Sequence, residues 1–133
     1  MIEIKDIIDL QTNSEIKKVS FATRYLVDLN FTFDLSVQSN DFCGKAHFCV
    51  RRDEIEKLCE ELSIMSLNLV GFTIINDNDS DGFLKFEFED NGHLIVSGQI
   101  GGSHENNNMK FEFATDQTCI PKFVTDFKTL LLN

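Results

Sequence analysis

The run Asn76-Asp77-Asn78-Asp79-Ser80-Asp81-Gly82 places carboxylates at alternate positions ahead of a glycine. Asp77, Asp79, Asp81 and Gly82 fit the opening positions of a calcium-binding EF-hand loop, where oxygen ligands converge on a hard cation. The last position of that pattern needs a bidentate acid, and here it is Phe88, flanked by Glu87 and Glu89. Strand alternation turns Phe88 inward, and no helices flank the run. A solvated acidic hairpin turn is the better reading.

Two further groups could carry chemistry. On a strand, Cys43, His47 and Cys49 share one face, so their thiols and imidazole could converge on zinc. A closed site wants four ligands; no Cys-x-x-Cys pair supplies them, and His93, His104, Cys59 and Cys119 are scattered. An outer strand face with ordinary residues is the plainer reading. Gly101-Gly102-Ser103-His104-Glu105 suggests a phosphate cradle, but such a cradle leads into a helix N-terminus bearing Lys or Arg. This loop leads into a strand and carries an acid. His104 beside Glu105 is thin support for acid–base work, and no Gly-x-Ser-x-Gly, His-Glu-x-x-His or catalytic-cysteine pattern occurs. The expectation is a chain that is not an enzyme and needs no cofactor or metal. A metal- or small-ligand-binding domain using the Asp77–Asp81 turn or the Cys43/His47/Cys49 face is one reading, and a protein-interaction adaptor is another.

Charge narrows the partners. Twelve Lys and Arg against twenty-two Asp and Glu leave a net charge of −10. A field of that sign repels nucleic acid and anionic lipid and attracts basic surfaces, so neither nucleic acid nor membrane is expected as a partner. No stretch of about 18 apolar residues could span a bilayer. The opening Met1-Ile2-Glu3-Ile4-Lys5-Asp6 lacks the apolar core of a secretory peptide. The four cysteines then read as reduced thiols in a cytoplasmic protein.

The elements that must hold these groups follow from periodicity. Val27, Leu29, Phe31, Phe33, Leu35 and Val37 alternate with mostly polar neighbours, the pattern of a long half-buried strand. Ser39-Asn40-Asp41 signals a turn, and Phe42, Gly44, Ala46, Phe48 and Val50 alternate again, predicting a hairpin over 27–50. Ile55, Leu58, Cys59 and Leu62 form one helical stripe behind Asp53, Glu54 and Glu56, predicting a helix over about 53–65. Four strands follow. Val70, Phe72 and Ile74 alternate in the first; Leu84, Phe86 and Phe88 share one face of the second, opposite Lys85, Glu87 and Glu89. Asp90-Asn91-Gly92 signals a hairpin turn into 93–100, and Met109, Phe111 and Phe113 mark the last strand. Thr118 is the expected N-cap of a C-terminal helix, with Pro121 in its first turn and Ile120, Phe123, Val124, Phe127, Leu130 and Leu131 as its apolar stripe. The expected fold is α+β, one domain over 1–133: an antiparallel sheet of about six strands (hairpin, helix, four-strand meander, C-terminal helix), helices packed on one face. Thirteen phenylalanines and no tryptophan imply a Phe-built core.

Asp79-Ser80-Asp81-Gly82-Phe83-Leu84-Lys85-Phe86-Glu87, then Gly92-His93-Leu94-Ile95-Val96-Ser97-Gly98, Gly101-Gly102 and Phe111 through Thr118 together resemble the WapI-type bacterial immunity proteins. The likeness covers about 79–127 well and 41–62 loosely. It implies a cytoplasmic antidote that binds the toxic C-terminal domain of a contact-dependent toxin and blocks it, without cofactor or reaction. The family has no catalytic motif to carry over, and Asp116, Gln117 and Thr118 are expected to cap the last helix. Many such toxins are nucleases, whose active surfaces are basic, and an acidic domain complements them. The expected contact surface is the acidic hairpin, Asp77, Asp79, Asp81, Glu87, Glu89 and Asp90, with His104 and Glu105 of the neighbouring loop.

Overall fold

A computed structural model describes residues 2–3, 6–27 and 29–132. The first half is an antiparallel sheet of β1 (Ile2–Glu3), β2 (Ile7–Gln11), β3 (Lys17–Val27), β4 (Asn30–Ser39) and β5 (Phe42–Arg51). β1 and β2 both pair with one edge of β3, β4 pairs with its other edge, and β5 pairs with β4. Helix α1 (Arg52–Asn68) follows without a linker, and β6 (Phe72–Asn76), β7 (Phe83–Phe88), β8 (Leu94–Ile100) and β9 (Met109–Thr115) make a second antiparallel meander. A 3-10 turn (Gln117–Cys119) leads into helix α2 (Ile120–Leu131).

The α+β class is as expected, but the single six-strand sheet is not. Among the described residues there are two sheets, of five and four strands. Alternation reports which side chains share a face and is silent on which strands pair. The α1 crossover carries the chain away from β5, so β6 starts a new sheet. The expected long strand from residue 27 is also divided: the chain turns at Leu29, which is 60% exposed, and only from Asn30 does it run as β4. Asp28 and the Val27 side chain of that expectation lie outside the described residues. The β4–β5 turn falls at Asn40-Asp41 as predicted, with Asn40 at φ 58, a conformation Asn tolerates and hairpin turns require.

Both helices carry the predicted apolar stripes inward. Ile55, Leu58, Cys59, Leu62 and Met65 are buried on α1, and all six predicted positions are buried on α2. Asp53 and Glu54 in the first turn of α1 complement its dipole. Thr118 is not the helix N-cap. Asp116 takes that part for the preceding 3-10 turn, its carboxylate accepting from the Thr118 N–H at 2.9 Å.

One hydrophobic cluster joins residues of both sheets and both helices. Phe21 of β3 lies 4.9 Å from Phe33 of β4 and 5.1 Å from Phe127 of α2, centroid to centroid. Phe123 of α2 lies 5.6 Å from Phe21 and 5.9 Å from Phe86 of β7, so α2 links the two sheets. Each buried ring contributes roughly 1.5–3 kcal/mol over leaving it in water. Polar stitches add direction: Ser39 Oγ donates to the Glu112 carbonyl at 3.1 Å, and the Asn78 N–H donates to the Cys49 carbonyl at 2.8 Å.

Candidate functional site

Asp77 is drawn into the structure. It is 7% exposed, and its carboxylate accepts from the Cys49 N–H (2.9 Å), the Asp79 N–H (3.2 Å) and Ser80 Oγ (2.7 Å). Its own N–H donates to the Gly82 carbonyl at 2.9 Å. The charge that resembled a first calcium ligand therefore fixes the β6–β7 turn against the end of β5. Asp79 stays exposed, and its carboxylate makes no hydrogen bond or ion pair among the described residues.

Asp81 ties the turn to the 101–108 loop. Its carboxylate accepts from the Ser103 N–H (2.8 Å), from Ser103 Oγ and from Gln99 Nε2 (2.9 Å). The hydrogen bonds from Ser103 are the main reason its carboxyl titrates below the ordinary 3.8. A depressed carboxylate holds the loop above its unfolded value and releases it as pH falls through the lower folded one. Hydrogen exchange should thus show the Ser103 amide opening at pH below 3.8, before the core strands do. Asp81→Ala should speed exchange at Ser103 about tenfold at pH 7 and leave Phe86 protected; equal protection at Ser103 would mean the tie does not hold the loop.

The turn, the loop and the outer row of β5 enclose an open cleft of about 560 Å³. Cys43, Lys45 and His47 form one wall; Asp77, Asp79, Ser80 and Glu105 stand across it. Two groups that looked separate in the sequence are thus neighbours. Cys49 of the strand face weighed for zinc is half-buried beside the turn, and its thiol is raised by burial and then by Asp79 and Asp77. His47 Nδ1 is 3.4 Å from Asp34 Oδ1, and Asp34 also pairs with Arg24 at 3.1 Å. Among the described residues, no group of three or more His, Cys, Asp or Glu is placed to hold a metal ion. His104 and Glu105 are exposed, and neither side chain hydrogen-bonds the other.

The remaining acids stand elsewhere on the second sheet. Leu84, Phe86 and Phe88 are buried as predicted, and Glu87 projects from the opposite face, 3.3 Å from Lys85 Nζ. Glu89 and Asp90 are exposed at the β7–β8 turn, closed by the Gly92 N–H on the Glu89 carbonyl at 2.9 Å. Asp79 and Asp81 therefore lie at one end of β7 and Glu89 and Asp90 at the other, roughly 20 Å apart for a strand of this length. Sequence reasoning missed what lies between them. Phe72 (60% exposed) and Ile74 (41%) face outward on β6, while Thr73 and Ile75 face the core. Their alternation was readable, but a period of two does not say which row is inside.

Residues 16–133 match the model of the WapI-like immunity protein family. The chain belongs to that family. Searches of curated proteins and of solved structures gave no match. The family match takes in β3 and β4 as well as the segments whose motifs carried the resemblance, so it covers the cleft, both acidic ends of β7 and the β6 face. Toxin neutralisation is the general role of immunity proteins, and the family is in general non-catalytic. No helix among the described residues is long and apolar enough to cross a membrane.

Proposed function

We propose that this immunity protein binds and neutralises the C-terminal domain of a cognate toxin through its acidic surface, catalyses no reaction, and acts in the cytoplasm of the cell it protects. The toxin domain is proposed to be basic and of nuclease type. A nuclease holds phosphates with Lys and Arg, so a carboxylate-bearing surface competes for the same groups without chemistry. The observation that carries this reading is the rigid display of unpaired acid: Asp79, Glu89, Asp90 and Glu105 are exposed on loops and turns closed by internal hydrogen bonds. Acids fixed before binding lose little entropy on binding. Asp77 and Asp81 serve the same surface by shaping it, Glu87 lies between its two ends, and His104 stands beside Glu105.

The triple variant Asp79→Lys, Glu89→Lys, Asp90→Lys tests the acidic surface. Affinity for the toxin domain should fall at least about 100-fold, chiefly through slower association, because rim charges steer encounter. The melting temperature should stay close to wild type, since none of the three side chains holds the fold. Unchanged affinity would show that the acidic surface does not bind the toxin.

A further inference from the structure

Half of the large hydrophobic side chains exposed among the described residues fall in one short stretch. Ile64, Leu67, Leu69, Val70, Phe72 and Ile74 lie within residues 64–74, out of twelve in all. Scattered exposed apolar residues are ordinary on a protein surface, whereas a contiguous group marks an interaction site, and Phe72 and Ile74 share one face of β6. The stretch runs from the end of α1 into β6, and Leu69 reaches the β7–β8 turn, its Cδ1 3.8 Å from where a Cβ at Gly92 would stand. β6 is an edge strand that pairs with β7 alone among the described residues.

Folding does not explain this row. Shifting β6 by one residue would bury Phe72 and Ile74 in exchange for Thr73 and Ile75, so the chain keeps a polar Thr73 inside while a phenylalanine stands outside. Long apolar edge strands are normally blunted by inward charges, proline or a covering element. Here the neighbours are acids instead. In register, Glu87 lies opposite Phe72, and Glu89 and Asp90 follow just beyond the end of β7. Lys85, a cation beside the row, is committed internally: its ammonium lies 5.2 Å from the Phe72 ring centroid and 3.3 Å from Glu87.

We infer that the outward row of β6, Phe72 and Ile74, with exposed Val70 just before the strand, is the apolar anchor onto which the toxin domain docks, through an apolar patch flanked by Lys or Arg. The inference rests on the reading under Proposed function and deepens it. A second copy of this chain would bring another net charge of −10 and another Glu87/Glu89/Asp90 rim against the first, so like charges oppose that occupant. A basic partner meets the same rim favourably. An apolar centre within a charged rim is the usual anatomy of a specific interface. The two parts act on different rates: the acids speed association and the β6 row slows dissociation.

The test measures association and dissociation rates between the full chain and the C-terminal domain of any large secreted toxin encoded next to its gene. Variants are Phe72→Thr/Ile74→Thr, which keep strand propensity, and Phe42→Thr, a still more exposed phenylalanine at the first position of β5 (72%). The double variant should dissociate about 100-fold faster, with association changed less than about threefold and the melting temperature preserved. Phe42→Thr should bind as wild type does. Binding by wild type with no change in the double variant overturns the β6 anchor alone. Failure of wild type to bind overturns the neutralisation reading and this one with it. A wild-type dimer that the double variant abolishes, with toxin affinity unchanged, assigns the row to a second copy and also overturns the inference.

Discussion

Phe123→Ala is expected to cost about 3–5 kcal/mol of stability, much of what a chain of this size possesses. Phe123 is wholly buried, and its ring stands within 5.9 Å of Phe21, Phe86 and Phe127, centroid to centroid. Phe21 belongs to the first sheet, Phe86 to the second and Phe127 to the helix between them. Truncation therefore opens a cavity where three elements meet, and none can close it without leaving another. A fall in melting temperature of roughly 10–20 °C should accompany the loss. Urea denaturation of Phe123→Ala beside Phe42→Ala gives the comparison, the second being an exposed ring whose loss should change stability by less than about 0.5 kcal/mol. A cost below about 1 kcal/mol for Phe123→Ala would show that the sheets do not depend on a shared core.

Gly98→Ala should cost nearly as much, about 3 kcal/mol, for a different reason. A Cβ at Gly98 would stand 2.3 Å from the Phe83 carbonyl oxygen and 3.1 Å from the Phe111 ring. The first obstacle is backbone in the neighbouring strand, so β7 would have to move away from β8. Gly44 provides the control: a Cβ there meets the flexible end of Ile100 at 2.9 Å and Met109 Sδ at 3.1 Å, which can rotate aside. Gly44→Ala should therefore cost under about 1 kcal/mol by the same denaturation assay. Equal costs would contradict the close approach at Gly98. Because β7 carries Glu87 and supports β6, Gly98→Ala should also weaken toxin binding in the molecules that remain folded.

Much of the second half could be read from the chain because its signals are local and agree with one another. Leu84, Phe86 and Phe88 alternate against charged neighbours, Asp90-Asn91-Gly92 closes a hairpin, and the α2 stripe has one phase throughout. The first half conceals β3. Its inward row is Val19, Phe21 and Thr23, and Thr23 is polar because its hydroxyl donates to the Asp6 carbonyl at 2.8 Å. A register shift between Thr23 and Tyr25 then leaves Tyr25 exposed, so the alternation loses its phase where a strand pattern would be sought. Pairing is a long-range property, and neither the division into two sheets nor the meeting of β5 with the 77–82 turn has a local signal. The candidate surface shows the same split. The acids were visible as a charge run, but that Asp77 is buried, that Asp81 binds Ser103, and that Phe72 rather than Thr73 faces outward depend on neighbours distant in sequence.

The direct test of neutralisation is the affinity of the purified full chain for the C-terminal domain of any large secreted protein encoded next to its gene, measured across salt concentrations and paired with a toxicity assay. Tight one-to-one binding that abolishes toxicity is expected, with association slowing steeply as salt rises. A folded, toxic domain that this chain neither binds nor silences would contradict it.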